Sequence, residues 1–234
     1  MNRSPIAFAL DYASVDEARA AARLVAPAIG MIKVGLELFV GAGPSVVALG
    51  KEVGLPVFLD LKLHDIPETV ERAVAQASSL GARLVTVHAS GGRTMLRRAV
   101  ERAAREGGEL AICAVTVLTS LDDADLHDVG LAGPASEAAL RLARVAFEEG
   151  VRWFVCSPAE VRSLRSALGK DAVLITPGVR PASAAKGDQK RVATPEQAIA
   201  DGADWVVVGR PIRDASDPLA AARAIAAAIQ ESRA

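Results

Sequence analysis

Short runs of branched apolar residues alternate along the chain with longer segments in which apolar positions recur at the helical period. We count eight such runs and predict a β-strand for each. The runs are Ile6 to Asp11, Met31 to Leu36, Val57 to Lys62, Leu84 to Ala89, Ala111 to Leu118, Trp153 to Ser157, Val173 to Pro177 and Trp205 to Arg210. Helices are predicted between them, among others over Ser14 to Val25, Arg93 to Arg105 and Pro218 to Ser232. Eight strand-then-helix units in about 250 residues are typical of a (β/α)8 TIM barrel, so we predict that residues 1–234 form a single barrel domain.

Composition excludes several classes of protein. The 234 residues are 51% hydrophobic and 24% charged, which is enough apolar material for one globular domain with a substantial core. Lys and Arg number 27 against 28 Asp and Glu, and aromatic residues make up only 3%. Proteins that bind nucleic acids need a basic surplus and aromatic platforms for stacking, so we expect no nucleic-acid partner.

The cysteines and the first residues of the chain bear on its location. Cys113 and Cys156 lie within apolar runs and lack the spacing of metal ligands, so we expect reduced core thiols in a reducing compartment. The apolar run Ile6 to Leu10 stops at Asp11 and is too short for a signal peptide or a membrane span. We therefore predict a cytoplasmic protein with no membrane partner.

The third predicted strand carries its charges on one face. In the run Val57 to Lys62 the leucines share one face, while Asp60 and Lys62 share the other. Strand side chains alternate between the inside and the outside of a barrel, so the leucines should pack beneath the helices and the charged pair should point inward. The same alternation directs Asp11 and Lys33 inward, toward the C-terminal ends of the strands where catalytic groups of such barrels are found.

Together with Asp65, these residues bring three negative and two positive charges to one rim of the barrel. Ions survive burial only when they are paired, so we expect an alternating network. A single Asp–Lys pair would most simply be a structural ion pair that joins two strands. Five charges from three strand ends favour a catalytic role. Such a network would keep Lys62 charged and able to deliver a proton.

Glycine–arginine segments follow the last two predicted strands, at Thr176 to Arg180 and Val208 to Pro211. Barrels of this class often bind phosphate through these loops, where a backbone N–H and a guanidinium can hold it. Two ordinary turns with surface arginines are the alternative, but the position on the eighth strand favours a phosphate site. The stretch Pro181 to Lys190 has no strand signal, and we interpret it as a mobile loop. Its Gln189 could close over the ligand, but on the residues alone a solvated loop glutamine is the favoured interpretation.

Four other polar residues have less specific surroundings. His64 and His88 lack a carboxylate–histidine spacing, so we predict neutral hydrogen-bonding roles and no metal. Thr119 and Ser120 follow the fifth predicted strand. They could hydrogen-bond a heterocycle or cap the next helix, and spacing alone does not choose between these roles.

Seven segments in order along nearly the whole chain resemble the orotidine 5′-phosphate decarboxylase family. They are Ala9 to Asp11, Lys33 to Gly35, Leu59 to Pro67, Leu118 to Ser120, Thr176 to Arg180, Gly187 to Arg191 and Val208 to Arg210. Related barrel enzymes that act on sugar phosphates share the Asp-x-Lys-x-x-Asp core of the third segment. The segments Leu118 to Ser120 and Gly187 to Arg191 single out the decarboxylase family.

The resemblance implies conversion of orotidine 5′-phosphate to uridine 5′-phosphate and carbon dioxide, the last step of de novo pyrimidine synthesis, without cofactor or metal. It implies that Lys62 donates a proton to C6 and that Asp60 lies beside the substrate carboxylate. It also implies a homodimer in which Asp65 and Thr69 reach into the partner's site. By the same resemblance, Asp11, Lys33, Asp65 and Thr69 hold the ribose and complete the charge network, Thr119 lies near the pyrimidine, and Arg180, Gln189, Gly209 and Arg210 hold the phosphate.

Two alternatives stay open at this point. A metal-dependent sugar-phosphate decarboxylase or aldolase of the same superfamily would place a divalent cation at the acidic residues to stabilise an enediolate. A catalytically silent protein that binds a phosphate ligand is a second alternative, because fold does not fix function. Such a protein would have little use for Lys62 inside the barrel.

Overall fold

The computed structural model describes residues 4–181 and 193–232, which form a closed barrel of eight parallel strands in sequential order. The strands are β1 (Ile6–Ala9), β2 (Met31–Val34), β3 (Val57–Leu63), β4 (Leu84–His88), β5 (Ala111–Val115), β6 (Trp153–Val155), β7 (Val173–Thr176) and β8 (Trp205–Val208). The predicted (β/α)8 class is confirmed. Each strand begins at its predicted residue, and all but β3 end one to three residues early, because the chain leaves the ladder there to form the loops of the C-terminal rim.

Helices cover the outside of the barrel. They are α1 (Val15–Val25), α2 (Leu36–Ala42), α3 (Leu49–Val53), α4 (Pro67–Ser79), α5 (Arg93–Arg105), α6 (Asp123–Asp128), α7 (Ala135–Glu148), α8 (Val161–Leu168), α9 (Pro195–Ala200), α10 (Arg210–Arg213) and α11 (Pro218–Glu231). Side-chain caps explain two of the predicted helix starts: Ser14 accepts the Glu17 N–H before α1, and Asp217 accepts the Ala220 N–H before α11. None of the helices within the described ranges is long and apolar enough to cross a membrane.

The strands separate two apolar layers. Outward side chains such as Phe8 and Leu10 pack against the helices in the main core. Inward side chains fill the barrel with a second cluster: Ala7, Met31, Phe58, Leu84, Cys113 and Ile175. Lys33 and Asp60 lie two residues further along β2 and β3, so they face the same interior above this apolar plug.

The end of β3 departs from regular strand geometry. Its register against β4 shifts between Leu59 and Leu63. Within this interval Lys62 has φ 53°, and among the described residues it is the one non-glycine residue with positive φ. That conformation costs a residue with a Cβ about 1–2 kcal/mol. The simple alternation used above places Lys62 on the inner face but does not anticipate this bulge.

Both cysteines are buried, free thiols. Burial is the main reason that the pKa of the Cys156 thiol rises to about 12, and the same cause raises the pKa of Cys113. Both thiols are therefore protonated and unreactive core groups.

Candidate active site

A cavity of about 520 Å³ opens at the C-terminal end of the barrel. Its described lining residues come from seven of the eight strands or the segments that follow them, and β4 contributes none of them. Of the predicted site residues, Asp11, Lys33, Asp60, Lys62, Thr119, Arg180, Gly209 and Arg210 line this cavity. Asp65 and Thr69 are exposed and are not among its described lining residues. Gln189 lies outside the described residues, as does the predicted mobile loop apart from Pro181.

Four charged side chains, from β2, β3 and the segment after β1, form one alternating chain of ion pairs in the cavity. We refer to Asp11, Lys33, Asp60 and Lys62 as the mouth network. Lys33 Nζ lies 3.3 Å from Asp11 Oδ1 and 3.6 Å from Asp60 Oδ2. Lys62 Nζ donates to Asp60 Oδ1 at 2.9 Å. Asp60 and Lys33 are nearly buried, and the Lys62 side chain is 30% exposed toward the cavity, which leaves its ammonium accessible to a ligand.

Gly35 makes room for the first of these pairs. It directly follows β2, and a Cβ at this position would come within 3.0 Å of Lys33 Nζ and 3.3 Å of Asp11 Oδ1. Any larger residue would push the ammonium and the carboxylate apart. The glycine is therefore required by close approach of charged side chains, and its φ is an ordinary extended value.

The electrostatics of the mouth network keep Asp60 ionised. Burial alone raises the pKa of its carboxyl, but the charges of Lys33 and Lys62 and hydrogen bonds from Lys62 and Thr86 outweigh burial and bring that pKa below its ordinary value.

Sequence reasoning missed Thr86, which lies on β4 with no exposed surface. The Lys62 N–H donates to Thr86 Oγ1 at 2.7 Å, and the Thr86 hydroxyl lies 3.1 Å from Asp60 Oδ1. The available signal was a polar residue at an inward position of a strand whose other residues, apart from His88 at its end, are apolar. Thr86 is uncharged, so the argument from buried charges that identified Asp60 and Lys62 does not apply to it.

A basic wall occupies the opposite side of the cavity, after β7 and β8. Arg180, Gly209 and Arg210 line it as predicted, and Arg213 lines it in addition. Arg180 is largely buried, and its N–H donates to the carbonyl of Ala193 at 3.0 Å. This bond, with the isolated bridge between Val179 and Ala193, holds the end of the β7 loop against the residues that precede α9.

Arg213 links the basic wall to the mouth network. Its guanidinium donates to the Asp11 carbonyl at 3.0 Å and pairs with Asp214 at 2.6 Å. Gly209 lies beside the same loop, since a Cβ there would come within 3.6 Å of Asp11 Oδ2. The β1 and β8 loops are therefore held close together at the point where the two walls meet.

The third wall, after β5 and β6, is apolar. Val115, Val117, Leu118 and Val155 line it, and Thr119 supplies a hydroxyl at its edge. A flat ring with a polar edge would suit this surface. Thr119 lines the cavity, which agrees with a contact to a ligand. It does not cap the next helix, because the N-cap of α6 is Asp122.

Basic groups outnumber acidic groups in the cavity. Among the described residues, five basic ones line it (Lys33, Lys62, Arg180, Arg210 and Arg213) against three acidic ones (Asp11, Glu37 and Asp60). The surplus favours an anionic ligand, and its concentration on one wall indicates where the main negative charge would lie. The geometry thus fits a ligand that has an anionic group at one end, a flat ring at the other and polar groups between.

The residues that directly follow β3 are not among the described residues that line this cavity. Asp65 accepts the N–H of Ile66 at 2.6 Å. Within the described residues it makes no ion pair with a member of the mouth network. Ile66 is 66% exposed. Four of the five predicted rim charges therefore meet within one chain, and the fifth lies on a loop that projects beyond the strand end.

The histidines lie together at the end of β4 and in the β3–α4 loop. The rings of His64 and His88 are 5.3 Å apart. Burial, then the proximity of His64 and Lys62, lowers the pKa of His88, which favours its neutral form. Within the described ranges no group of three or more His, Cys, Asp or Glu side chains is arranged to hold a metal ion.

Comparisons with known proteins agree with this geometry. A family model described as the orotidine 5′-phosphate decarboxylase / HUMPS family matches residues 4–225. The orotidine 5′-phosphate decarboxylase of Anaeromyxobacter sp. (strain K) is 56% identical over 224 residues, covering 96% of this chain and 97% of its own. That of Thermobifida fusca (strain YX) is 53% identical over 232 residues, covering 98% and 97%. The crystal structure of the Lactobacillus acidophilus enzyme of this name has a TM-score of 0.83 and 36% identity, covering 97% of this chain and 99% of that one.

Proposed function

Because the chain belongs to the orotidine 5′-phosphate decarboxylase / HUMPS family, we propose that it converts orotidine 5′-phosphate to uridine 5′-phosphate and carbon dioxide in pyrimidine synthesis. The observation that carries this proposal is the cavity-facing Lys62 ammonium, held 2.9 Å from the ionised Asp60 and opposite a wall of arginines. We further propose that residues 1–234 serve as one catalytic domain.

The three walls correspond to the three parts of this substrate. The phosphate would bind at Arg180, Gly209 and Arg210, with Gln189 as a further proposed ligand. The ribose would lie over Asp11 and Lys33. The pyrimidine would lie against the apolar wall beside Thr119, so that its C6 carboxylate reaches Asp60 and Lys62. The chemical step proposed below depends on this orientation.

The chemical step breaks the bond between C6 and the carboxylate. The electron pair stays on C6, where no adjacent carbonyl can delocalise it, so the protein must stabilise the charge electrostatically. The Lys62 ammonium lies where that charge develops and then transfers a proton to C6. Carbon dioxide leaves, uridine 5′-phosphate forms, and Lys62 regains its proton from solvent.

Binding energy from the phosphate supports this step. Asp60 beside the substrate carboxylate would repel it, and the repulsion would be relieved as carbon dioxide departs. Holding the substrate in that position requires favourable contacts elsewhere, and the arginine wall is the remote source of them. The proposed roles of Asp60 and Arg210 are therefore coupled through the substrate.

We also propose a homodimer with shared sites. Asp65 and Thr69 are exposed in this chain, next to Ile66, which is 66% exposed. In α2, which follows β2, Leu36 and Val40 are 51% and 79% exposed. Apolar side chains exposed beside the cavity rim support a subunit interface there, across which Asp65 and Thr69 would reach the partner's substrate.

A cytoplasmic location completes the proposal. Cys113 and Cys156 are free, buried thiols, a usage typical of proteins that fold in a reducing compartment. The substrate is a small phosphorylated metabolite, and we propose neither nucleic-acid nor membrane partners and no cofactor.

The test is the loss of absorbance as orotidine 5′-phosphate is consumed by the purified chain after dialysis against EDTA. We expect full turnover without added metal, because Lys33 and Lys62 supply the positive charge that a cation would supply in the alternative enzyme. Activity restored only by magnesium would favour the metal-dependent sugar-phosphate enzyme, which the names of the relatives do not favour. Binding of uridine 5′-phosphate without any turnover would indicate the silent binder.

A further inference from the structure

One buried hydroxyl lies at the centre of the mouth network without lining the cavity. Thr86 Oγ1 is 2.7 Å from the backbone nitrogen of Lys62 and 3.1 Å from Asp60 Oδ1. Asp60 Oδ1 in turn accepts the Lys62 ammonium at 2.9 Å. The hydrogen bonds therefore form a closed ring that runs from the Lys62 backbone through Thr86 and Asp60 to the Lys62 side chain. Thr86 holds the backbone N–H of the lysine directly and its ammonium through Asp60.

The directions of these hydrogen bonds follow from chemistry. A backbone N–H can only donate, so Thr86 Oγ1 accepts from Lys62. The single hydroxyl proton of Thr86 is then available for Asp60, whose carboxylate is ionised and accepts it. No other arrangement satisfies both contacts, and this arrangement aligns the Thr86 hydroxyl with the charged form of Asp60.

The backbone of Lys62 needs such a partner. The β3–β4 register shifts between Leu59 and Leu63, so Thr86 supplies a side-chain acceptor at the point where the regular ladder is interrupted. Lys62 itself is held at φ 53°, a conformation that persists in a residue with a Cβ only when its surroundings enforce it. The 2.7 Å bond from its N–H is a contact that enforces it.

We propose that Thr86 is a positioning residue of the decarboxylation: its hydroxyl holds the left-handed backbone that aims the Lys62 ammonium into the cavity and fixes the Asp60 carboxylate against it. The expected effect of Thr86 on turnover rests on the proposed function. The two hydrogen bonds of its hydroxyl can be measured without substrate.

The groups around Asp60 define what loss of the hydroxyl would change. Lys33 faces Asp60 from β2, Lys62 from β3, Thr86 and His88 from β4, and Cys113 from β5, with Asp11 on the far side of Lys33. Burial lowers the pKa of His88 and raises that of Cys113, which favours the neutral form of each. Removing the Thr86 hydroxyl removes one of the hydrogen bonds that lower the pKa of Asp60, so that pKa should rise.

The decisive variants are Thr86→Val, which keeps the branched shape without the hydroxyl, and Thr86→Ser, which keeps the hydroxyl. Thr116→Val is the matched control. Thr116 is also a buried threonine, just after β5, but its hydroxyl donates to the Val155 carbonyl at 3.1 Å and touches neither Asp60 nor Lys62. Each protein is assayed for kcat and KM, for hydrogen exchange of the Lys62 amide, and for the Asp60 pKa by carboxyl NMR titration without ligand.

For Thr86→Val we expect kcat to fall by roughly 10- to 100-fold, with a much smaller change in KM, because a hydrogen bond to a charged group is lost while the phosphate contacts are kept. Its Lys62 amide should exchange faster than that of the wild type, and its Asp60 pKa should be higher. Thr86→Ser should restore all three quantities toward wild type. Thr116→Val should leave the Lys62 amide and the Asp60 pKa unchanged.

Wild-type kcat in a folded Thr86→Val would overturn the positioning role, as would a Thr86→Ser variant as slow as Thr86→Val. If Thr86→Val fails to fold, Thr86→Ser and the wild type still test the positioning role. A Lys62 amide that exchanges freely in the wild type would contradict the hydrogen bond from that amide to Thr86. A wild type that does not consume orotidine 5′-phosphate would refute the proposed function alone, because the exchange and titration data would still report on the hydrogen bonds.

Discussion

Two networks of buried acids and basic partners occupy different regions of this molecule. The mouth network lies at the C-terminal end of the barrel, and a second one joins α4 to α5 on the outside. This helix network consists of Glu71, Arg98, Arg102 and Arg105. In the helix network one nearly buried carboxylate receives Arg98 at 2.5 Å and Arg105 at 2.6 Å from regular helical backbone. In the mouth network the acids and bases alternate, and one base lies on left-handed backbone.

The choice of base differs as well. Arginine offers a planar fork that engages a carboxylate at several points, which suits a fixed contact between helices. Lysine offers a compact ammonium that can give up a proton, which suits chemistry. Lys62 also lines a cavity, whereas the helix network joins two packed helices and none of its members is among the described lining of that cavity. Strained backbone, lysine and an adjoining cavity together distinguish ion pairs placed for catalysis from ion pairs that join elements.

The largest effect should come from removing the Lys62 ammonium. Lys62→Ala deletes both the proton donor and the charge that faces the carbanion, so we expect turnover of orotidine 5′-phosphate to be abolished. The measurement is the absorbance assay together with circular dichroism to establish that the barrel is intact. Wild-type turnover in a folded Lys62→Ala protein would remove the mouth network from the mechanism.

The next effect should come from the basic wall. A charged contact between Arg210 and phosphate in a closed site is worth about 2 to 5 kcal/mol by analogy with buried charge pairs. We therefore expect Arg210→Ala to lower kcat/KM by roughly two to three orders of magnitude. Because part of that energy is realised only in the transition state, kcat should fall as well as KM rise.

Orotidine, which lacks the phosphate, is the control for Arg210. Wild type and Arg210→Ala should process it about equally, since the guanidinium then has no phosphate to bind. If Arg210→Ala slowed orotidine as much as the phosphorylated substrate, Arg210 would be a structural residue like those of the helix network.

A third effect tests whether the mouth network is completed by a second subunit. When inactive Lys62→Ala and inactive Asp65→Ala chains are mixed, one site of a mixed dimer collects both defects and the other collects neither. With equal amounts and free exchange, activity should recover to about a quarter of wild type. Mass spectrometry should first establish subunit exchange, and absence of recovery after that would place Asp65 in the site of its own chain.

A smaller effect concerns pH. The pKa of Asp60 lies below its ordinary value of 3.8, so its ionised form contributes stability above that pH and loses it as the pH falls through the lower folded value. The difference in free energy of unfolding between wild type and Asp60→Asn should thus be constant from neutral pH down to the ordinary value and change only below it. Urea titrations at several pH values measure this, and a change that began well above 3.8 would mean that burial outweighs the lysines.

The smallest effect on activity should come from the helix network. Hydrogen bonds from Arg98, then from Arg105, lower the pKa of Glu71, which is the direction expected of a stabilising ion cluster. Glu71→Gln should lower the urea midpoint of unfolding and leave kcat unchanged, because neither Glu71 nor its arginine partners line the cavity. Loss of turnover without loss of stability in this variant would undo the distinction between the two networks.

The sequence was sufficient for the strands because local patterns set their positions. All eight begin at the predicted residue, and the inward direction of Asp60 and Lys33 follows from alternation alone. The left-handed backbone at Lys62 was not predictable, since it arises from the register shift against β4, a tertiary feature. Thr86 escaped notice because a neutral residue in an apolar strand shows its role only through its partners.

Other parts of the site depend on elements distant in sequence or on a second subunit. Arg213 reaches the Asp11 carbonyl from α10, which no local pattern indicates. The position of Asp65 outside the mouth network follows from the loop after β3, and its proposed function depends on assembly. Gln189 lies beyond the described residues, so its role stays a prediction from the resemblance.

The central claim is that the mouth network serves catalysis rather than architecture. The most direct test is the free energy of unfolding of Lys62→Ala, measured by urea beside that of Arg98→Ala and compared with the turnover of each. The account predicts that Lys62→Ala loses turnover by many orders of magnitude while its stability changes little, and that Arg98→Ala loses stability while it keeps turnover. If turnover in both variants instead declined in proportion to their stability, the charges at the barrel mouth would be structural and the claim would be wrong.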